Sequence, residues 1–271
     1  MPHAIFFAQL RAHSRMIAVI FDFAPVGEST GHDNYKSGRR MKKKFRNLTI
    51  GFVSTALAGI AGVATAGPVE SVVGLDVHNP GAFLGAVRNY YSSDESHGNV
   101  TIWAVEFGGD TEISHLAIGD FEGYADYEKV TSDRRAGTAW VAFAAPLTNI
   151  IDVESRLMAI ERFREGTGWR NHGAMAAFVM TVTDPAEYVA AFSELVESSD
   201  NPGSVRLMEM RFGGQGATHA ALISAASITE LNEYLDELLT SNAYRKFADD
   251  VSDIRTIHNV QMMRRVVSYG D

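Results

Sequence analysis

The chain contains no cysteine. That excludes disulfides, a thiol nucleophile, thiolate metal sites and a lipid-bearing cysteine. Positive charge is also scarce: from Gly67 to Asp271, a span of 205 residues, 15 Arg and Lys stand against 30 Asp and Glu, a formal charge of −15. No Lys/Arg cluster interrupts that acidity, which repels phosphate backbones, so nucleic acid is not an expected partner. The same span lacks HExxH, GxSxG and P-loop patterns and has no similarly spaced set of metal ligands, so no metal is expected. Gly214 and Gly216 form a Gly-x-Gly, but it falls between two strand patterns rather than ahead of a helix, which removes the dinucleotide reading. Without cross-links the fold must rest on its core, and 205 residues are ample for one.

The long apolar run that is present lies near the start. From Met41 the chain reads MKKKFRN, then LTIGFVSTALAGIAGV, then Ala64-Thr65-Ala66. A basic stretch, an apolar stretch and a small-x-small ending predict a signal peptide over 41–66, and a periplasmic or secreted mature chain with no membrane partner once it is cleaved. The run approaches the roughly 18 residues of a spanning helix. An uncleaved anchor is therefore the alternative, and the Gly, Ser, Thr and Ala content favours cleavage. Residues 1–40 precede a signal that should open a chain and read as a misassigned upstream extension.

The most informative feature is a repeat. A shift of 105 carries Val77-His78-Asn79-Pro80 onto Val182-Thr183-Asp184-Pro185, Phe83 onto Tyr188, and Glu106-Phe107-Gly108-Gly109 onto Arg211-Phe212-Gly213-Gly214. One deleted residue then aligns His115 with His219. In each copy a β-rich run (72–77, 178–182) meets Asn-Pro or Asp-Pro, an N-cap and N1 proline. A helix follows, with Phe83, Val87 and Tyr90, or Tyr188, Phe192 and Leu195, at helical spacing. An alternating strand comes next, Trp103, Val105 and Phe107 matched by Met208, Met210 and Phe212, then a Gly-Gly turn and a strand starting near each His. A second helix is marked by Phe121, Tyr124 and Tyr127, or by Ile228, Leu231 and Tyr234. Short helices fit AWVAF and AYRKF, and final strands fit about 156–163 and 260–267.

The predicted fold class is α+β: two tandem ferredoxin-like βαββαβ units, 67–163 and 174–271, joined by a linker over 164–173. A four-stranded sheet with both helices on one face leaves its other face bare, and pairing two such sheets into one α+β barrel covers both.

With its strand-loop-His segments ending at His115 and His219, and with ELLTSNAYRKFADDVSDIRTIHNVQMMRRV as a closing helix, spacer and strand, the chain resembles the dimeric α+β barrel superfamily. That superfamily includes antibiotic-biosynthesis monooxygenases, NIPSNAP-like and stress-responsive barrel proteins and, more distantly, chlorite-dismutase-like heme proteins. The resemblance implies a small-molecule ligand, a monomer or homodimer, and a cofactor-free monooxygenase or isomerase as one possible activity; it requires no cofactor and leaves heme open. The Asn, Trp and His set of its heme-degrading branch has no matching positions here, although Trp103, Trp140, His115 and His78 are present. A binding protein without chemistry is the alternative.

The candidate acid/base residues are Asp76 and His78, which alternate to the opposite face of the first strand from Val73, Leu75 and Val77. The simpler reading of His78 is a strand-end residue beside the Asn79 cap. His115 suits proton transfer or ligation, and His219 repeats it; because both copies keep the residue, a structural duty at the hairpin also fits. Glu106 and Arg211 hold equivalent positions with opposite charge, as an inter-unit ion pair or as solvated edge residues, and Glu209 shares a face with Arg211. These four, His219, Glu209, Arg211 and Glu106, are the candidate ligand-binding residues. Met208, Met210, Met262 and Met263 read as core filler or as a flexible apolar pocket.

Overall fold

The computed structural model describes residues 67–270 apart from Asp110 and Pro202. The signal-peptide and upstream readings lie outside the described residues. The first half runs β1 (Val69–Val77), α1 (Pro80–Tyr91), β2 (Val100–Phe107), β3 (His115–Phe121), α2 (Tyr124–Ala136), α3 (Thr138–Leu147) and β4 (Ile151–Glu165). A 3-10 turn (Trp169–Asn171) leads to the second half: β5 (Ala174–Val182), α4 (Pro185–Glu197), β6 (Ser204–Phe212), β7 (His219–Ala225), α5 (Ile228–Thr240), α6 (Asn242–Asp250) and β8 (Arg255–Tyr269). Both halves are βαββαβ with one added short helix, as the repeat predicts.

The caps form as the sequence indicates. The Asn79 side chain accepts from Ala82 N and the Asp184 side chain from Glu187 N, each with proline entering the first turn. One assignment is corrected. Phe121 ends β3, opposite Val69, and packs edge-on to Tyr127 with ring centroids 5.1 Å apart. Helix α2 instead buries Val130, Thr131 and Arg134, and Arg134 reaches across to the carbonyl of His97 and the hydroxyl of Tyr91.

The final strands differ more from expectation, because β4 and β8 are 15 residues each. Most of the added length is at their starts, 151–155 and 255–259, where polar side chains such as Asp152, Glu154 and Asn259 hide the strand from a hydrophobic pattern and the backbone pairs with β1 and β5. The remainder of each strand closes the structure. Strand β4 pairs with β1 in its own half and with β6 in the other, while β8 pairs with β5 and with β2. The sheet is one closed antiparallel barrel in the order β1-β3-β2-β8-β5-β7-β6-β4, with no exposed edge. The halves thus meet by backbone ladders at two seams, β4–β6 and β2–β8.

Two kinds of core result. Outside the barrel, each half packs its helices on its own sheet: Leu75, Phe83, Val87 and Trp140 in the first, Met180, Tyr188, Phe192 and Phe247 in the second. Inside, residues of both halves share one core that includes Trp103, Ile118, Ala177, Met208, Leu222 and Met263.

Candidate functional site

The two repeated histidines sit in matching environments on the outer face. Ser114 Oγ accepts from Val77 N at 2.8 Å and lies 3.0 Å from His115 Nδ1; Thr218 Oγ1 accepts from Val182 N at 2.8 Å and lies 2.9 Å from His219 Nδ1. Phe83 covers the His115 ring and Tyr188 the His219 ring, at centroid distances of 6.1 and 6.4 Å. Burial pushes both imidazoles below their ordinary 6.5, so the neutral forms are favoured. This is one hairpin device built twice: a hydroxyl-His dipeptide ties the start of the third strand to the end of the first. The recurring Ser-His and Thr-His dipeptides were the readable signal.

Asp76 and His78 lie at the helix-1 end of β1. His78 Nε2 is 2.9 Å from Asp152 Oδ2, its Nδ1 is 3.7 Å from Asp76 Oδ2, and its side chain is half exposed. The hydrogen bond to Asp152, with Asp76 nearby, raises the His78 pKa. The structure brings these two together, with a third acid the sequence reading did not single out. His115, opposite Leu75 in the ladder, lies near enough to Asp76 for that charge to oppose the effect of burial on its pKa, whereas His219 belongs to the other half.

Glu106 and Arg211 do not pair with each other, which corrects the inter-unit pair read from their equivalence. Glu106 receives Arg264 at 2.5 Å across the β2–β8 seam, and Arg211 bonds Glu209 within its own strand at 2.6 Å. Glu209 also receives Arg162 at 2.5 Å across the β4–β6 seam. Burial pushes the Glu209 carboxyl up, but the two arginines outweigh it and hold the pKa below the usual value. Inter-unit ion pairs therefore exist, with their arginines on the long closing strands.

The room for a ligand is inside the barrel. A cavity of about 310 Å³ is lined by residues of both halves, among them Val72, Ile118, Leu157, Ala177, Met208 and Met263. The voids between helices and sheet hold about 20 and 50 Å³. Two hollows between the helices of the second half, of about 250 and 120 Å³, are rimmed by acidic and hydroxyl side chains such as Glu197, Asp200 and Glu237. The two repeated loops edge the mouth: Thr111 and Ile113 from one, Gly213, Gly214 and Gln215 from the other, with polar Ser155, Asn259 and Gln261 nearby. Gly213 has φ +78, and a Cβ there would overlap the Arg156 carbonyl, so this turn of the rim requires glycine. Phe107 and Phe212, at the ends of β2 and β6, are 68% and 59% exposed. The methionines divide: Met208, Met210 and Met263 line the cavity, and Met262 packs outward under the second half's helices.

The other end is closed by the linker. Trp169 inserts into the inner core and stacks on Trp103 with centroids 6.5 Å apart. Arg170 donates to the Tyr269 carbonyl at 2.7 Å and also holds that of Gly270. At this floor Glu70 and Arg206, 2% and 1% exposed, form an ion pair across the two halves, and the Arg206 guanidinium lies 3.9 Å over the Trp169 ring. Burial raises the Glu70 pKa and Arg206 opposes that rise. The sequence reading missed all of these. Arg206 shares the alternation phase of Met208 and Met210, which would have placed it inside, and Glu70 lies just ahead of the strand as first drawn.

Among the described residues no group of three or more His, Cys, Asp or Glu could hold a metal, and no helix is long and apolar enough to cross a membrane. Four methionines line the cavity but no histidine or tyrosine does; methionine ligates heme iron opposite a histidine, so the lining does not supply that pair and does not fit the group.

No protein-family model matches the sequence, and no curated protein matches it. Solved structures do match. A "putative monooxygenase" from Fusobacterium nucleatum is similar with a TM-score of 0.55 and 11% identity, over 76% of this chain and 95% of that one. A second "putative monooxygenase", from Lactobacillus acidophilus, matches with a TM-score of 0.51 and 10% identity, over 75% and 96%. An "anthrone oxidase-like protein" matches with a TM-score of 0.50 and 13% identity, over 76% and 93%. Matches of that extent span both halves. At such identities they establish the fold, the α+β barrel expected from the repeat.

Proposed function

We propose that this chain binds a small, mostly apolar or aromatic molecule inside its barrel, as an exported protein with residues 41–66 as leader. The observation that carries the reading is the cavity of about 310 Å³ between the halves, apolar in its walls and open at the repeated loops. A void of ~150 Å³ is enough for benzene, so about twice that suits two or three fused rings.

Chemistry on the bound molecule is a further step. A cofactor-free oxygenase or isomerase reaction is in keeping with the names borne by the fold's neighbours, and Asp76 with His78 would supply the acid/base pair. Glu70 and Val72 line the cavity and a Cβ at Gly74 would meet Ile113 and Ser155, so Asp76 lies one alternation beyond the mouth. Such chemistry would fall on a group projecting from the cavity. Binding without turnover is favoured by the position of His78, His115 and His219, none of which lines the cavity.

Titration with naphthalene, followed by the fluorescence of Trp103 and Trp169, tests the binding step. Saturable binding in the wild type, lost in a folded Ala177→Phe variant that fills the cavity, is expected. No saturable change, or equal binding by the filled variant, would refute it. Oxygen uptake with 1-naphthol, reduced in Asp76→Asn while binding persists, would support chemistry. Binding with no uptake would leave a carrier.

A further inference from the structure

The cavity reading leaves one lining residue unexplained. Its walls are apolar and its mouth carries neutral polar groups, yet Glu70 lines it at the closed end, where acids are expensive to place. Among the described residues Arg206 is the hydrogen-bond donor to its side chain, and it engages Oε1. Oε2 is left as an acceptor. Arg206 Nη2 in the same layer is buried and has no hydrogen-bond acceptor among the described residues, and neither has Trp103 Nε1. The layer therefore holds an acceptor and spare donors that the protein does not satisfy by itself, which is unusual for buried polar groups.

Resting on the cavity reading, we propose that Glu70 is the polar anchor of the bound molecule. It accepts a hydrogen bond from an O–H or N–H at the ligand's buried end, so that the site selects phenols, enols and related donor-bearing ring compounds over plain hydrocarbons. The ion pair fixes the carboxylate: Arg206 lies over the Trp169 ring, Trp169 stacks on Trp103, and Arg170 clamps the linker that carries Trp169 to the last residues of β8. A hydrocarbon driven to the floor would strip solvent from the acid and return nothing. That penalty is how a site built to bond a hydroxyl rejects its deoxy analogue.

The test compares 1-naphthol, 1-methoxynaphthalene and naphthalene, which share a ring frame and of which only the first has a donor. Wild-type protein is expected to bind 1-naphthol at least about tenfold more tightly than the other two, the worth of one hydrogen bond to a charged group. Glu70→Leu combined with Arg206→Leu removes the pair together, a change folds often tolerate; it should equalise the three ligands while naphthalene binding persists. Glu70→Gln, which keeps the shape, should shrink the preference and serves if the double variant does not fold. A preference for 1-naphthol that survives these changes, or wild-type protein that binds all three alike, would overturn the proposal and leave the cavity reading intact. Failure of every ring to bind would overturn the cavity reading and this inference with it.

Discussion

On the helix-covered side of the sheet, the two halves do the same things with matching residues. Asn79-Pro80 and Asp184-Pro185 start the same helix, Phe83 and Tyr188 cover the same histidine, and Ser114 and Thr218 make the same backbone bond. Even the irregularity of the first strand recurs, at Gly74/Leu75 and at Val179/Met180. On the side facing the barrel axis the copies part company. The 105-residue shift sets Glu70 against Met175, Thr101 against Arg206, Trp103 against Met208 and Val72 against Ala177. The outer face solves a problem each half has alone, so both keep the same solution. The inner face is shared, and a residue there can be satisfied by the other half. Two identical chains about a twofold axis would place every inner residue twice; a tandem chain can set one carboxylate against one guanidinium, as Glu70 and Arg206 do.

The largest effect should come from breaking that inner asymmetry. Arg206→Ala leaves a buried carboxylate without its cation, and a loss of about 3–5 kcal/mol is expected in chemical denaturation, as for other broken buried pairs. A loss near zero would mean that Glu70 is not held as described. The outer symmetry makes a complementary prediction. Ser114→Ala and Thr218→Val each remove the acceptor of a part-buried N–H, and each should cost about 1–3 kcal/mol. The two costs should agree; a clear inequality would break the equivalence of the halves.

Acid sharpens the same symmetry. Burial lowers the pKa of His115 and His219 from the ordinary 6.5, against the nearby acids Asp76 and Glu209. The unfolded chain then binds protons more tightly than the folded one. Stability from these groups is full above 6.5 and falls as pH drops below it, levelling once the folded-state imidazoles protonate as well. His115→Gln and His219→Gln should each flatten part of the slope of stability against pH below 6.5, in equal shares. His78 has its pKa raised by Asp152, so its stabilisation is full below 6.5 and is lost as pH rises above it; His78→Gln should remove that loss and leave the slope below 6.5 as it was.

Most of the outer layer was legible because it obeys local rules. Caps and helical spacing at Phe83 and Val87 are written within a few residues of each other, and the repeat doubled every signal. Of the inner layer only strand alternation, as at Trp103 and Val105, was legible. Glu70 and Arg206 are 136 positions apart and satisfy each other only after both seams close. Trp169 lies in a stretch with the Gly-rich composition of a linker and yet forms the floor. The starts of β4 and β8 were hidden for a different reason: 151–155 and 255–259 pair with β1 and β5 in their own halves but carry polar side chains such as Asp152, Glu154 and Asn259. The Asp76–His78 grouping was readable from alternation, whereas its third member, Asp152, belongs to β4 and needed the register.

The seams set the smallest predicted effect. Arg264 and Glu106 cross one seam and Arg162 and Glu209 the other, but their side chains are between 22% and 58% exposed. Exposed pairs are worth about 0–1 kcal/mol after screening and side-chain entropy. The ladders beneath them run from Val100 opposite Tyr269 to Phe107 opposite Met262, and from Met158 opposite Phe212 to Glu165 opposite Val205. Arg264→Ala and Arg162→Ala should therefore each cost less than about 1 kcal/mol, and raised salt should not separate unfolding into two transitions. Two transitions in high salt would show that charge rather than backbone pairing joins the halves. The shared inner face, and the cavity it encloses, would then be stable only while both ion pairs hold.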